Sequence, residues 1–455
     1  MHTVTQTVHV SSSKSTYTQL LYRQHPGFHA FFPCASSYPS MLGELYSSAL
    51  SGACFNWICS PAVTELETIV LDWLAKVLGL PECYLSTGPT RGGGVIQGSA
   101  SEAVLTAMVA ARDKYLRETV PSHLAEDSEE RDDFIARKRS RMVALATSQT
   151  HSSTKKAAII LGVRFVTIPV SAKDDYALTA PVLAQALADC KRRGLEPFFL
   201  TATLGTTDVC AVDDFQGIIS ALSDWHCPPG TPGEVWVHVD AAYAGSALVL
   251  PSVQESTKVA LTRHFHSFDM NMHKWLLTNF DASCLYVRDR DWFVQALTVN
   301  QAVYGNKASE GGLVTDYREW QIPLGRRFRS LKIWFVLRSY GVAGLQEYIS
   351  RTIAQGEDFA AMLRTRPDLF EIVTGPSFAL TVFRLVGGSD EEKNRLTKEL
   401  YDRVNASGKM WTTSTMLEGR FCIRMVTSVR TTMKEHVDSA FKMLVEGAEE
   451  IVPRN

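Results

Sequence analysis

The stretch His238-Val239-Asp240-Ala241-Ala242-Tyr243-Ala244-Gly245, followed by Asn271-Met272-His273-Lys274-Trp275, decides the fold of this chain. An apolar, β-branched run from Val235 to Val239 turns into small residues at Ala241, which predicts a buried parallel strand that opens into a site at its carboxyl end. Asp240 at that end needs a cationic partner, because an unpaired buried carboxylate is costly. Lys274 stands in an apolar setting, where a lysine can lose its proton and act as an amine nucleophile.

One ligand requires both groups. Pyridoxal phosphate (PLP) condenses with a lysine through its aldehyde, and its ring nitrogen needs a carboxylate to stay protonated. Taken singly, each residue has a plainer interpretation. A strand-end Asp commonly caps a loop or forms an ion pair, and a Lys beside a Trp commonly extends its ammonium group to the surface. The pair, within these flanking sequences, favours the cofactor.

The two segments resemble the PLP-dependent group II amino-acid decarboxylases, and among them the aromatic-L-amino-acid decarboxylases. The resemblance runs from near His25 to near His436. It implies PLP fold type I (aspartate aminotransferase-like), an α/β fold with a mainly parallel central sheet, helices on both faces and a smaller C-terminal α+β lobe. We expect residues 1–60 to form an N-terminal tail and a substrate-pocket and dimer segment, 61–343 the large PLP-binding domain, and 344–455 the small C-terminal domain.

Length and composition agree with a globular protein. The 455 residues are too many for one simple domain, and the hydrophobic fraction of 45% is ordinary. A net charge of −2 gives no reason to expect nucleic acid or a membrane as a partner. The nine cysteines form neither a CxxC pair nor a metal-type spacing, which predicts free thiols and no metal site. Without a secretory signal or a membrane-spanning run, the expected location is cytoplasmic.

From Met142 the pattern alternates strictly between strand and helix. Strands are predicted at MVALATSQ, RFVTIPV, PFFLTATLGTT and VWVHVDAAY, with a helix between each pair. This alternation implies a mainly parallel sheet with right-handed crossovers, whose sites lie at the carboxyl ends of the strands. His151, Thr203 and Asp240 fall at or near such ends and are expected to face one crevice.

A glycine-rich stretch, Gly92 to Glu102, precedes a predicted helix. A glycine-rich turn that feeds a helix start is an anion site, because free backbone N–H groups point outward there. Alone it is weak evidence, since most such turns only reverse the chain. The resemblance makes it the phosphate cradle and implies that the cofactor site comprises Ala100, Ser101, His151, Thr203, Asp240, Ala242, Asn271, His273 and Lys274. In it, His151 stacks on the cofactor ring and Ala242 packs against the other face.

The resemblance also implies the catalytic residues Lys274, Tyr304, His151 and Asp240. Residues 303–317 are polar, glycine-bearing and long for a connection, which predicts a mobile lid. In the family a lid tyrosine protonates the carbon that loses carbon dioxide. Tyr304 matches it best, because the family wording after that tyrosine resembles GNKASE; Tyr317 is the fallback. Relatives with Phe at the lid position tend to be aldehyde synthases, so Tyr304 favours plain decarboxylation.

The substrate pocket is predicted from seven residues. By resemblance, four of them line the pocket for the substrate ring, two reach into the neighbouring subunit's site, and one tunes the choice of substrate: Phe31, Phe32, Pro33 and Cys34; Ala53 and Phe55; and Gly325. A glycine at position 325 leaves room for an indole or catechol ring. The first substrate expected is therefore L-tryptophan or 5-hydroxytryptophan, converted to the aromatic amine and carbon dioxide by a homodimer with sites at the subunit interface.

Two alternatives stay open. One is another enzyme of the same family, an aromatic aldehyde synthase or a histidine decarboxylase; Tyr304 and Gly325 respectively disfavour these. The other is a non-catalytic, truncated family member that acts as a binding or regulatory partner. It rests on the expectation that this chain lacks the N-terminal helices by which relatives clasp the partner subunit, since it joins the family pattern near Tyr22.

Overall fold

A seven-stranded sheet forms the centre of the larger part of the molecule. The computed structural model describes residues 23–299 and 314–452. The strands of the large sheet are β1 (Gly93–Gln97), β2 (Met142–Thr147), β3 (Arg164–Ile168), β4 (Glu196–Thr203), β5 (Trp236–Asp240), β6 (Ser267–Asn271) and β7 (Ser283–Val287). Their spatial order is β1-β7-β6-β5-β4-β2-β3. Only β7 runs antiparallel to its neighbours, so the prediction of a mainly parallel sheet is confirmed.

Helices cover both faces of this sheet. In chain order they are α1 (Tyr38–Ala49), α2 (Pro61–Val77), α3 (Ala100–Thr119), α4 (Glu129–Arg141), α5 (Ser153–Leu161), α6 (Ala180–Arg192), α7 (Phe215–Ser223), α8 (Pro251–Ser256), α9 (Met272–Trp275) and α10 (Asp291–Leu297). Helices α3, α5 and α10 pack on one face, and α2, α6 and α7 on the other. Because successive strand side chains alternate between faces, Val237 and Val239 lie on the α2 side while His238 and Asp240 lie on the α3 side.

A second sheet of four antiparallel strands forms the smaller lobe. It comprises β8 (Phe370–Ser377), β9 (Leu380–Leu385), β10 (Thr413–Leu417) and β11 (Arg420–Val426), in the order β10-β11-β9-β8. Helices α11 (Ser330–Arg364), α12 (Asp390–Ala406) and α13 (Lys434–Ile451) complete the described fold. Helix α11 belongs to both lobes: Ile333 packs in the large core and Phe359 in the small one. Gly341, at φ 61°, breaks its regular geometry between them. The predicted domain boundaries remain predictions.

The predicted helices and strands from Met142 to Asp240 are confirmed, but other parts of the fold were misinterpreted or missed. Residues 93–97 are a strand rather than a glycine-rich turn, and the turn is confined to Gly98 and Ser99. Helix α1 and strand β10 were not predicted. Helix α1 buries only Ser40 and Gly43, so its sequence lacks the apolar period of a core helix.

Among the helices of the described ranges, none combines the length and the apolar character of a bilayer-spanning segment. The cytoplasmic location stays a prediction.

Candidate active site

Three polar side chains lie at the carboxyl ends of neighbouring strands. Thr203 ends β4, Asp240 ends β5 and Asn271 ends β6. Thr203 and Asp240 are partners in the strand register, so their side chains lie side by side on the α3 face. Parallel strands all present their carboxyl ends at one edge of the sheet, and a crevice at that edge is the usual place for a ligand.

A cavity of about 190 Å³ opens at this edge. Its lining is Phe32, Ser99, Ala100, Ser101, His151, Thr203, Gly205, Thr207, Asp240, Ala242, Tyr243, Asn271, His273, Lys274 and Phe280. All nine residues predicted for cofactor binding are in this set. Of the predicted catalytic residues, Lys274, His151 and Asp240 line the cavity, whereas Tyr304 lies outside the described residues. The fold therefore brings together groups from seven separate parts of the sequence.

Lys274 sits on the short helix α9, directly after β6. Burial lowers the pKa of its ammonium group, while the carboxylates of Asp240 and Asp269 oppose that shift. Its Nζ lies 5.6 Å from the centre of the Phe32 ring. A lysine that is partly desolvated and faces an aromatic ring gives up its proton more readily than one in water, so its amine is available as a nucleophile.

Asp240 is held at the floor of the cavity. Its side chain is buried, and Oδ1 accepts a hydrogen bond of 3.0 Å from the backbone N–H of Ala242. This bond fixes the carboxylate relative to the chain that follows. The result is a negative group facing a pocket that also holds Lys274, as binding of a protonated ring nitrogen requires.

The start of helix α3 forms another wall. Ser99 is the N-cap, with its Oγ 3.4 Å from the N–H of Glu102, and Glu102 in turn accepts from the N–H of Gly98 at 2.7 Å. The first N–H groups of an α-helix have no acceptor within the helix, and those of Ala100 and Ser101 lie at the cavity. They form an anion site of the kind that holds phosphate groups.

Two polar atoms on the wall are buried without a partner. Thr203 Oγ1 and Asn271 Oδ1 find no hydrogen-bond partner within residues 23–299 and 314–452. A buried polar atom left in this state costs about 1–3 kcal/mol, so a ligand that supplies the missing bond is favoured. Together with the helix start, the carboxylate and the amine, these atoms fit PLP, which has a phosphate, a ring nitrogen, a ring hydroxyl and an aldehyde.

Both histidines of the cavity are held neutral. Burial, and then the charge of Lys274, lower the pKa of His273 to about 3, and its Nδ1 accepts from the N–H of Ala282 at 2.9 Å. Burial also lowers the pKa of His151, although Asp240 opposes this. His151 Nδ1 lies 3.0 Å from Ser153 Oγ and accepts from the Ser153 N–H, which orients the ring. A neutral imidazole can stack on a ring or share a hydrogen bond without adding charge.

A stack of three aromatic rings borders the cavity, with two of the rings in its lining. Phe32 stacks on Tyr243 with ring centres 3.7 Å apart, and Tyr243 stacks on Trp275 at 4.7 Å. Sequence reasoning missed Tyr243 and also Gly205, Thr207 and Phe280 as lining residues. Glycine suits position 205, because an added side chain would collide with Ala244 and its φ is 88°.

The predicted substrate residues divide into two places. Phe32 lines the cavity, whereas Phe31, Pro33, Cys34, Ala53, Phe55 and Gly325 are not part of its lining. We call residues 53–55 and 318–326 the outer loop pair. The two segments are joined by backbone bonds, from Arg326 N–H to Ala53 O at 2.8 Å and from Arg318 N–H to Phe55 O at 3.0 Å. The roles predicted for these residues stay predictions.

Tyr317, the fallback acid, is engaged elsewhere. Its hydroxyl lies 3.0 Å from Thr68 Oγ1, and the Arg326 guanidinium sits 4.7 Å from its ring centre. Tyr317 is buried and absent from the cavity lining. Its position is that of a packing residue.

Comparison with known proteins agrees with this site. Residues 5–386 match the pyridoxal-dependent decarboxylase conserved domain. The chain is 44% identical over 430 residues to a phenylacetaldehyde synthase of Arabidopsis thaliana, covering 93% of this chain and 82% of the relative. It is 42% identical to tryptophan decarboxylase 2 of Oryza sativa subsp. japonica, covering 94% and 82%. The crystal structure of the Oryza sativa protein TDC with PLP and tryptamine superimposes with a TM-score of 0.86 at 36% identity, over 94% of this chain and 84% of that one.

Proposed function

The chain belongs to the pyridoxal-dependent decarboxylases, in the branch that acts on aromatic amino acids, and from that premise we propose that it converts L-tryptophan or 5-hydroxytryptophan to the aromatic amine and carbon dioxide. Its cofactor is PLP, and its reaction class is that of the carboxy-lyases. The observation that carries the proposal is that Lys274, Asp240 and the start of α3 line one cavity. Two polar atoms of the same lining, Thr203 Oγ1 and Asn271 Oδ1, are buried without a hydrogen-bond partner among the described residues.

The residues that would hold PLP follow from their chemistry. The first N–H groups of α3 at Ala100 and Ser101 would receive the phosphate, and the Asp240 carboxylate would accept a hydrogen bond from the protonated ring nitrogen. Thr203 and Asn271 supply the two polar atoms that still lack a bond. When bound, PLP supplies the electron sink that makes loss of carbon dioxide from an amino acid feasible.

Lys274 and the histidines prepare the site for that chemistry. Lys274 would supply the amine that holds the cofactor through its aldehyde. His151, oriented by Ser153, would border the cofactor ring and could offer a hydrogen bond to the substrate carboxylate. Because His151 and His273 are neutral, neither adds a positive charge that would hold the carboxylate back from leaving.

Tyr304 is the proposed acid. It delivers a proton to the substrate carbon after carbon dioxide leaves, and a positioned acid typically contributes about 10²–10⁴-fold to the rate. This assignment is supported by the sequence around Tyr304, which matches the lid of the family. The residue itself lies outside the described ranges. The position of Tyr317, bonded to Thr68 and away from the cavity, favours Tyr304 over the fallback.

The preference for an indole ring rests on the outer loop pair. A Cβ added at Gly325 would meet nothing within 4 Å, so this loop leaves space where a bulkier residue would project. A second candidate function is aldehyde synthesis, favoured by the 44% identity to the Arabidopsis phenylacetaldehyde synthase. Tyr304 favours the decarboxylase.

A homodimer is proposed as the working form. Large apolar side chains stand exposed on and beside α1: Tyr38, Leu42, Leu45, Tyr46, Leu50 and Ile58. Ile322 and Leu324 of the outer loop pair are exposed as well. An apolar surface of this extent is typical of an interface. The occupant proposed is a second copy of the chain, because Ala53 and Phe55, which are predicted to reach a neighbouring site, lie between the exposed Leu50 and Ile58 in the sequence. Sedimentation equilibrium of the wild type and of Leu45→Glu tests it: a dimer that the charge dissociates is expected, and a wild-type monomer would contradict it.

The function is tested on the PLP-loaded protein. Each aromatic amino acid is supplied separately, and amine, carbon dioxide and hydrogen peroxide are measured. Amine without peroxide, fastest with an indole substrate, is the expected result. Aldehyde with peroxide would replace the proposal by the second candidate, and absence of any product with bound cofactor would contradict both.

A further inference from the structure

A second carboxylate lies beside Asp240. Asp269, on β6, is the register partner of Asp240 on β5. Partners in neighbouring strands point their side chains to the same face of the sheet, so both carboxylates lie on the α3 side. Asp269 is 0% exposed and Asp240 is 5% exposed. The sequence analysis gave Asp269 no role, and it does not line the cavity itself.

Asp269 is held by a chain of hydrogen bonds that runs from Trp236 through Ser267 and His238. Trp236 Nε1 can only donate, and it donates to Ser267 Oγ at 2.8 Å. Ser267 Oγ lies 2.8 Å from His238 Nδ1. His238 Nε2 lies 3.0 Å from Asp269 Oδ1, where the carboxylate oxygen accepts from the ring N–H. The chain thereby orients the Asp269 carboxylate.

The other oxygen of Asp269 has no such support. Oδ2 is buried and has no hydrogen-bond partner in the part of the chain that the structure describes. Burial raises the pKa of Asp269 to about 6, the hydrogen bond from His238 opposes the rise, and the charge of Asp240 adds to it. A buried carboxylate with one unpaired oxygen, next to another carboxylate, is costly unless positive charge is present nearby.

We infer that Asp269 is a positioning residue: held by His238, its carboxylate acts together with Asp240 to favour the protonated form of the cofactor ring nitrogen. With a single carboxylate beside it, the ring nitrogen can lose its proton to that carboxylate as readily as it keeps the proton in a hydrogen bond. A second negative charge close by stabilises the positive ring and shifts the balance towards the protonated nitrogen. The inference rests on the assignment of Asp240 made above.

The inference predicts that Asp269→Asn has opposite effects on the cofactor-free protein and on the protein with PLP. Without the cofactor the two carboxylates repel, so Asp269→Asn should leave the melting temperature unchanged or raise it. With PLP the same substitution should weaken binding, because the negative charge that stands behind Asp240 is gone. A residue that served only to hold the strands together would lower stability and leave the affinity for the cofactor alone.

The experiment compares PLP with an analogue in which a C–H group replaces the ring nitrogen. Dissociation constants for both are measured by equilibrium dialysis on the full chain, with melting temperatures of the cofactor-free protein. Asp269→Asn is expected to raise the dissociation constant of PLP roughly five- to tenfold, since one pKa unit is a factor of ten in the protonated population. The analogue has no nitrogen to protonate, so its dissociation constant should not change.

Two further variants make the result unambiguous. Asp72→Asn is the matched control, because Asp72 is a buried acid that accepts from Ser86 N–H and Oγ at 2.9 and 2.6 Å outside the cavity. It should lower the melting temperature and leave both dissociation constants unchanged. If Asp269→Asn does not fold, Asp269→Ser supplies the same comparison with a hydroxyl that can still accept from His238.

The outcomes separate this inference from the proposed function. Equal weakening of both ligands by Asp269→Asn, or an unchanged dissociation constant for PLP, would overturn it. Asp240→Asn should raise the dissociation constant of PLP, relative to that of the analogue, by a larger factor than Asp269→Asn does. If Asp240→Asn fails to discriminate, the assignment of Asp240 fails; if only Asp269→Asn fails, the proposed function stands and the positioning role is withdrawn.

Discussion

The cofactor cavity and the outer loop pair are built in opposite ways. The cavity gathers side chains from strand ends, the start of α3 and helix α9, and several of them are buried and bonded to the backbone. The outer loop pair is joined by backbone bonds, and Gly325 faces open space. The difference teaches that distant residues of this chain converge on the proposed cofactor pocket, whereas recognition of the substrate ring is expected to need a surface that the described residues leave open.

Removal of the amine should have the largest effect on the cavity. Lys274→Ala is expected to abolish the visible absorbance of bound PLP and to lower turnover by more than about a thousandfold, because no other group in the cavity can join the aldehyde. Lys332→Met is the matched control: Lys332 is also buried with a lowered pKa, but it pairs with Glu44 at 2.7 Å. The control should lose stability and keep the absorbance. An unchanged spectrum in Lys274→Ala would remove Lys274 from its role.

The proposed acid, Tyr304, comes next; it lies outside the described residues, so its role is tested through the products of the reaction. Tyr304→Phe should slow amine formation by about 10²-fold or more, since a positioned acid is lost, and should shift product towards aldehyde with peroxide. Products are measured by chromatography and peroxide by a coupled assay. Tyr317→Phe, which loses only the bond to Thr68, should leave the ratio of products unchanged. Amine at the wild-type rate from Tyr304→Phe would contradict the assignment.

A change in the outer loop pair should separate substrate choice from cofactor binding. Gly325→Ser places a side chain in open space, so folding should not suffer. We expect kcat/KM for tryptophan to fall about tenfold relative to phenylalanine, the range that a pocket of altered size commonly gives. The dissociation constant of PLP should stay the same, as the comparison of the two regions requires. A fall in PLP affinity instead would mean that the two regions are coupled.

The smallest effect at neutral pH concerns His29, which anchors the segment that carries Phe32. Burial lowers the pKa of His29 to about 4, below its ordinary value of 6.5, and its Nδ1 lies 3.0 Å from Val426 O. As the pH falls, this histidine is therefore protonated in the unfolded chain before it is protonated in the folded protein. The contribution of His29 to the free energy of unfolding is complete above the unfolded pKa and falls as the pH drops towards 4. In this pH range the free energy of unfolding of His29→Gln should fall less steeply with decreasing pH than that of the wild type, by about 1.4 kcal/mol per pH unit.

Urea denaturation between neutral pH and pH 4 measures this slope. His25→Gln, at an exposed histidine of the same segment, is the control and should follow the wild-type curve. An unchanged slope in His29→Gln would show that other groups account for the acid sensitivity.

The sequence predicted which residues gather at the cavity, because the information that places them is local. The run from Met142 to Asp240 alternates strands and helices, and parallel strands place Thr203 and Asp240 at one edge whatever the details of packing. The stretch at Gly93 was misjudged because glycine frequency suggests a turn, whereas the flanking contacts with β7 impose a strand.

Long-range packing could not be predicted in this way. Phe32, Tyr243 and Trp275 stack only because three distant segments meet, and no local pattern marks such a meeting. Asp269 was missed for a related reason. Within SFDMN it is one polar residue in a buried strand, and only the register with β5 reveals that it lies beside Asp240.

The bond between His29 and Val426 has a consequence for biosynthesis. The two residues are 397 positions apart, and strand β11, which Val426 ends, is the last strand that the ribosome releases in the described fold. The wall of the cavity that Phe32 supplies is therefore secured only after the chain has been synthesised through β11. A nascent chain can pair β2, β4 and β5 earlier, but we expect it not to retain PLP until β11 has left the ribosome.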